Sequence, residues 1–224
     1  DSNINADGAL TLDARSDQTI DATVFAGAVA VSVGVVGASL SGAGAATENR
    51  IATLVQAYIQ GDKDGKGIVA GSVSLDADDG STINASAEAV SVAAVLGLAG
   101  ASLAIGVGTA HNAIDNHVAS FIEGVDAGVT ANGASTGDIR IAAHEDASID
   151  ARAQATSAAI SLAIFSLALS GAGAGATNVI GGSTNATVDH SALGSQGSVT
   201  LLAENTATIT AAAIDVIMRR IRPL

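Results

Sequence analysis

Gly71-Ser-Val-Ser-Leu-Asp-Ala77 is one of four near copies of a short alternating segment. The others are Gly8-Ala-Leu-Thr-Leu-Asp-Ala14, Gly137-Asp-Ile-Arg-Ile-Ala-Ala143 and Gly197-Ser-Val-Thr-Leu-Leu-Ala203. Twelve residues after each Gly stands an Ile: Ile20, Ile83, Ile149 and Ile209. Asn49, Asn112 and Asn178 follow the first three glycines by 41 residues, and Ile59, Ile122 and Val188 by 51. The distance between glycines is 63, then 66, then 60 residues, yet these landmarks keep their phase. All length variation falls between the last landmark and the next Gly. Repeats of this size describe a stack in which each unit buries its apolar face on its neighbours. The expected array covers residues 1–213, with repeats at 8–70, 71–136 and 137–196 and a partial fourth at 197–213. Residues 214–224 read as a basic tail, a cap or an end piece.

Each copy has three zones. The opening alternates apolar and polar residues with period two, as a half-buried strand does. A polar turn and a second strand start follow, at Thr19-Ile-Asp-Ala22, Thr82-Ile-Asn-Ala85 and Ser148-Ile-Asp-Ala151. The central zone is uncharged and made of Ala, Gly, Ser, Val, Leu and Ile. Its glycine content argues against helix, where each Gly costs roughly 1 kcal/mol against Ala. Runs such as Val29-Ala-Val-Ser-Val-Gly-Val35 suit strands. The third zone is another strand, as in Thr53-Leu-Val-Gln-Ala-Tyr-Ile59. The expected fold is therefore all-β: a parallel β-solenoid with a core of Ala, Gly, Ser and Val. The openings should pair in one parallel sheet, and the segments 61–70, 123–136 and 189–196 should be rim loops. Gly171–Gly175 and Gly42–Ala45 should face a tightly packed interior.

Composition narrows function. The chain has 224 residues, 22 Asp plus Glu against 9 Lys plus Arg, and a net charge of −13. That balance argues against nucleic acid and anionic membranes as partners. Cysteine is absent, so no disulfide, thiol nucleophile or thiolate metal site exists. Asp1 is not an initiator residue, so a longer precursor is expected.

Candidate chemistry is sparse. Asp62 and Asp64 open like a calcium loop, but the twelfth position is Val73 where Glu is needed. Asp76, Asp78 and Asp79 form a denser acidic turn, and these five carboxylates are the candidate Ca²⁺ ligands. No other cofactor is expected. Ser39 and Ser102 lack the following Gly of a nucleophile elbow. His111, His117, His144 and His190 hold no common phase. Asn49, Asn112 and Asn178 read as a structural column, either a hydrogen-bonded ladder or a turn position.

The pattern resembles the repeat regions of giant secreted surface proteins of Gram-negative bacteria, of the filamentous-adhesin and leukotoxin-adhesin type. The matching pieces are Gly71 to Ala77, Ala89 to Ala110 and Ala119 to Gly124, with counterparts across residues 8 to 211. The resemblance implies an exported, elongated β-solenoid at the cell surface or in the extracellular space, displaying or spacing adhesive surfaces. Such a segment is a non-enzyme. Its expected partners are further copies, stacked end to end into filaments, and a host or matrix surface. Two other readings stand beside it. One is a polysaccharide-active enzyme or binding module on a β-helix, which three Phe, one Tyr and no Trp equip poorly for sugar stacking. The other is a membrane-inserting segment, since the uncharged zones are long enough to span a bilayer.

Overall fold

The computed structural model describes residues 3–61, 65, 67–134 and 137–222. Among them there is no helix, and every sheet is parallel. The central zones are strand, because Val alternates with small residues and no side chain on the inner face exceeds what a close neighbour admits. No helix among the described residues is long and apolar enough to cross a membrane.

Three sheets collect the strands. The first holds β1 (Ile4–Asn5), β5 (Ile68–Ala70), β8 (Val129–Ala131) and β12 (Leu193–Ser195). The second holds β2 (Ala9–Ser16), β6 (Ser72–Asp79), β9 (Ile139–Glu145) and β13 (Val199–Asn205). The third holds β3 (Thr19–Ile51), β4 (Leu54–Gln60), β7 (Thr82–Glu123), β10 (Ser148–Leu162), β11 (Phe165–Asp189) and β14 (Thr208–Arg222). The opening segments pair in parallel in the second sheet, with Leu12 against Leu75, Leu75 against Ile141 and Ile141 against Leu201. Parallel pairing needs a long crossover, and the rest of each pass supplies it.

The three sheets enclose a prism. Val55, Ile59, Ile68, Val73, Leu75, Val118, Ile122, Val129, Ile139 and Ile141 form one buried cluster drawn from all three walls. In the first wall, the three-residue strands β5, β8 and β12 lie inside segments expected as rim loops. Their three-residue length carries too little alternation to announce a strand.

The third sheet continues beyond the prism as an arm. Its long strands double back, so outgoing and returning halves lie face to face. Ser41 Oγ donates to the Ala28 carbonyl at 2.9 Å, and Ser170 Oγ to the Ser157 carbonyl at 2.8 Å, each across 13 residues of one pass. The folds fall near Gly34, near Gly97 and at the break between β10 and β11. Between the layers lie Ala87 and Ala89 against Ala45, and Ala93 and Ala159 against Ala104 and Ala168.

Two expectations are corrected here. Gly42, Gly171, Gly173 and Gly175 line the outer face, where an added Cβ would meet nothing within 4 Å. The glycines that permit close approach are Gly106 and Gly108, whose added Cβ would come within 2.9 Å of the Thr156 carbonyl and 2.6 Å of the Gln154 carbonyl. Alternation places Gly106 and Gly171 on opposite faces, because β11 sets Ala172 against Gly106. Residues 214–222, expected within a basic tail, a cap or an end piece, are strand. They continue β14 in register, from Gln154 against Ile214 to Leu162 against Arg222, because backbone pairing on β10 is indifferent to side-chain charge.

On the outside of the prism, Tyr58 and Phe121 stack with ring centroids 5.0 Å apart and planes 6° apart. Tyr58→Leu should lower stability by about 0.5–1.5 kcal/mol through loss of ring pairing, read from the urea midpoint.

Candidate functional site

The joint between prism and arm carries the polar chemistry of the interior. Each pass leaves the second sheet, turns, and enters the arm; the returning strand crosses the same level on its way back. Asn49, Asn112 and Asn178 stand one above the other on the returning strands. Asn49 Nδ2 donates to Asn112 Oδ1 and Asn112 Nδ2 to Asn178 Oδ1, both at 2.8 Å. They sit within extended strands, and the one described non-glycine residue with positive φ is His190, so the column does not mark a left-handed turn.

Beside this ladder lies a second column, on the inner face of the second sheet. Ser16, Asp79, Glu145 and Asn205 occupy matched register positions. Asp79 is 3% exposed and Glu145 1%. Asp79 accepts from Ser81 Oγ at 2.9 Å, Thr53 Oγ1 at 3.3 Å, the Ser81 amide at 3.4 Å and the Asn116 side-chain amide. Glu145 Oε2 accepts from Thr184 Oγ1 at 2.9 Å and Asn205 Nδ2 at 2.8 Å, whereas its Oε1 is buried without a partner. Burial pushes the Glu145 carboxyl above the ordinary Glu range, and the charge of Asp79 adds to this; the Thr184 hydrogen bond and His117 pull the other way. In the third pass Gly182 takes the register position of Asn116. Its φ is +122°, and a Cβ there would collide with the Asn116 carbonyl, so only Gly fits this approach.

Of the three candidate Ca²⁺ ligands among the described residues, Asp79 faces away from Asp76 and Asp78. Asp79 turns into the joint, while Asp76 and Asp78, alternating with buried Leu75 and Ala77, sit on the outer face of β6. Asp62 and Asp64 lie outside the described residues. Asp76, Asp78 and His144 do bring ligand atoms within 4.8 Å of one another. They are part of cross-strand charge rows: Arg140 Nε lies 3.5 Å from Asp76, and Glu204 lies 3.4 Å from His144 Nδ1. Arg15, Asp78, His144 and Glu204 share one row across the four strands. Such rows on an exposed face are worth about 0–1 kcal/mol per pair.

Sequence reasoning missed Glu145 and Asp79 as a buried pair. Their phase after the opening Gly was visible, but both follow an outward acidic or basic residue and read as one polar turn. Ser39 and Ser102 are buried between the arm layers, where a small side chain is required. His117 Nδ1 lies 2.9 Å from Ser183 Oγ on the neighbouring strand. Among the described residues no carboxylate hydrogen-bonds to that imidazole, so the pair lacks the orienting acid of a nucleophilic triad.

No protein family, no curated protein and no solved structure matches this chain. The class that the fold defines is an all-β protein of parallel sheets, in an arrangement compatible with a β-solenoid.

Proposed function

We propose that this chain is a non-catalytic structural and adhesive segment of an exported surface or extracellular-matrix protein, a β-solenoid of three 60–66-residue repeats with a fourth begun and a small-residue core. The observation that carries this reading is the constant register offset between passes. β3, β7 and β10–β11 place like residues over one another from Thr19 against Thr82 to Glu123 against Asp189. The arm supports the adhesive part, since its outer faces carry exposed apolar side chains such as Val33 and Val36, at 76% and 79% exposure. Exposed apolar surface rimmed by polar residues marks contact with partners.

The proposed partner is a further copy or a host or matrix surface. The outer edge of β3 has no Pro and no charged residue between Ala22 and Thr47, so its own residues do not guard it against strand pairing. The other end is less welcoming. Asp215, Ile217, Arg219 and Ile221 take the inward positions that Ala155, Ser157, Ala159 and Ser161 hold in the pass before. A returning strand at the arm's close spacing would collide with them. Pairs joined through the β3 edge should therefore precede longer stacks.

Sedimentation velocity over a hundredfold concentration range should show this association. Beads coated with the chain should adhere to a matrix-coated surface, and incubation with polysaccharides should release no new reducing ends. Release of reducing ends that disappears in His117→Ala would replace this reading with an enzyme. A strict monomer whose beads fail to adhere would leave no support for assembly or adhesion.

A further inference from the structure

We propose that Glu145 is a proton-operated latch: a buried carboxylic acid held beside Asp79, whose loss of a proton loosens the joint between prism and arm. The donor pattern carries the assignment. Four donors converge on Asp79 and use both of its oxygens. That fills the acceptor capacity of a carboxylate. Glu145 takes both of its donors on Oε2 and leaves Oε1 buried and bare. A charge on that oxygen would have nothing to compensate it.

The two carboxyls occupy matched positions on neighbouring strands, with Asp79 against Glu145. A negative charge on Asp79 at strand spacing disfavours a second one on Glu145. The charged groups that act on Glu145 are Asp79 from β6 and His117 from β7. β11 presents Thr184 and β13 presents Asn205, both neutral.

A buried cation is the competing occupant. The side-chain oxygen of Asn116 is engaged by the Thr53 amide at 3.0 Å, and that of Asn205 by the Ala207 amide at 3.0 Å. Both side chains are thereby pinned with their NH₂ groups toward the carboxyls. N–H donors facing the pair suit a proton and oppose a metal ion.

The location makes the proton consequential. Glu145 ends β9, and β10 starts into the arm at Ser148. Below the ordinary Glu range the group is neutral in the folded and unfolded chain, and it adds no pH dependence. Between that range and its raised folded value, the unfolded chain releases the proton and the fold retains it. Stability therefore falls as pH rises through this window, and the loss is complete above it.

Urea unfolding of the wild type and Glu145→Gln across a pH series tests the latch. The ratio of their unfolding constants, wild type over variant, should be flat at low pH. It should rise by up to about tenfold per pH unit inside the window and then level. Infrared spectra at a pH inside the window should show a protonated-carboxyl band that Glu145→Gln lacks. A ratio independent of pH, or no difference in that band, overturns the proposal. If Glu145→Gln does not fold, Asp79→Asn gives the second arm: removing its charge should move the titration of the band to lower pH, and no movement overturns the latch. Stabilisation of the wild type by Ca²⁺ that is lost in either variant would assign the site to a cation instead.

Discussion

Gly108→Val should cost about 3 kcal/mol or more and strip protection from the arm while leaving the prism folded. The added Cβ alone would lie 2.6 Å from the Gln154 carbonyl and 3.3 Å from the Ala87 carbonyl. Both obstacles are backbone, on β10 and on the outgoing half of β7, so neither can swing aside. Overpacking usually costs 1–3 kcal/mol, and a site walled by backbone sits at or above the upper end. Gly173→Val is the matched control. It lies two residues from Gly171 on the outer face, with open space where its Cβ would go. Its effect should stay within about 0.5 kcal/mol, as for other open surface positions. Urea midpoints, with hydrogen exchange to localise the damage, would decide between the two faces. Equal damage at both glycines would mean that the arm's layers are not packed as described.

Asn112→Leu should cost about 2–4 kcal/mol. Asn112 is 4% exposed and hydrogen-bonded on both sides at 2.8 Å. The substitution strands Asn49 Nδ2 and Asn178 Oδ1, and each stranded buried group costs about 1–3 kcal/mol. Replacing Asn49, Asn112 and Asn178 together by Leu should cost less than three times the single change, because no polar partner is then left behind. A triple variant that loses as much as the sum of three singles would show that the ladder acts as separate residues. Thermal unfolding of the four proteins measures the coupling.

The chain's phase was legible without coordinates because strand stacking repeats identical chemistry at identical positions. Gly8, Gly71, Gly137 and Gly197 with their alternating followers placed β2, β6, β9 and β13 in one parallel sheet. The column of Asn49, Asn112 and Asn178 was legible for the same reason, since amides in phase at strand spacing can bond to one another. The sequence led to an expected core of Ala, Gly, Ser and Val, whereas the prism's buried cluster is built of Ile, Val, Leu and Ala.

In the arm that logic gives two faces and no choice between them. Ala, Gly, Ser and Val stand on both sides of β7 and β11, so period alone does not say which side meets another layer. The tertiary fold decides it by doubling each long strand near Gly34, Gly97 and Ala163, which turns Gly106 and Gly108 inward and Gly171, Gly173 and Gly175 outward. The walls of two or three residues at β1, β5, β8 and β12 exist only because the neighbouring passes pair with them. Glu145 reads in sequence as part of a solvated turn. It becomes a buried acid because the returning strand brings Thr184 over it, 39 residues further on, while β6 sets Asp79 at its side. Local alternation fixes which residues share a face; burial depends on what the rest of the chain lays against that face.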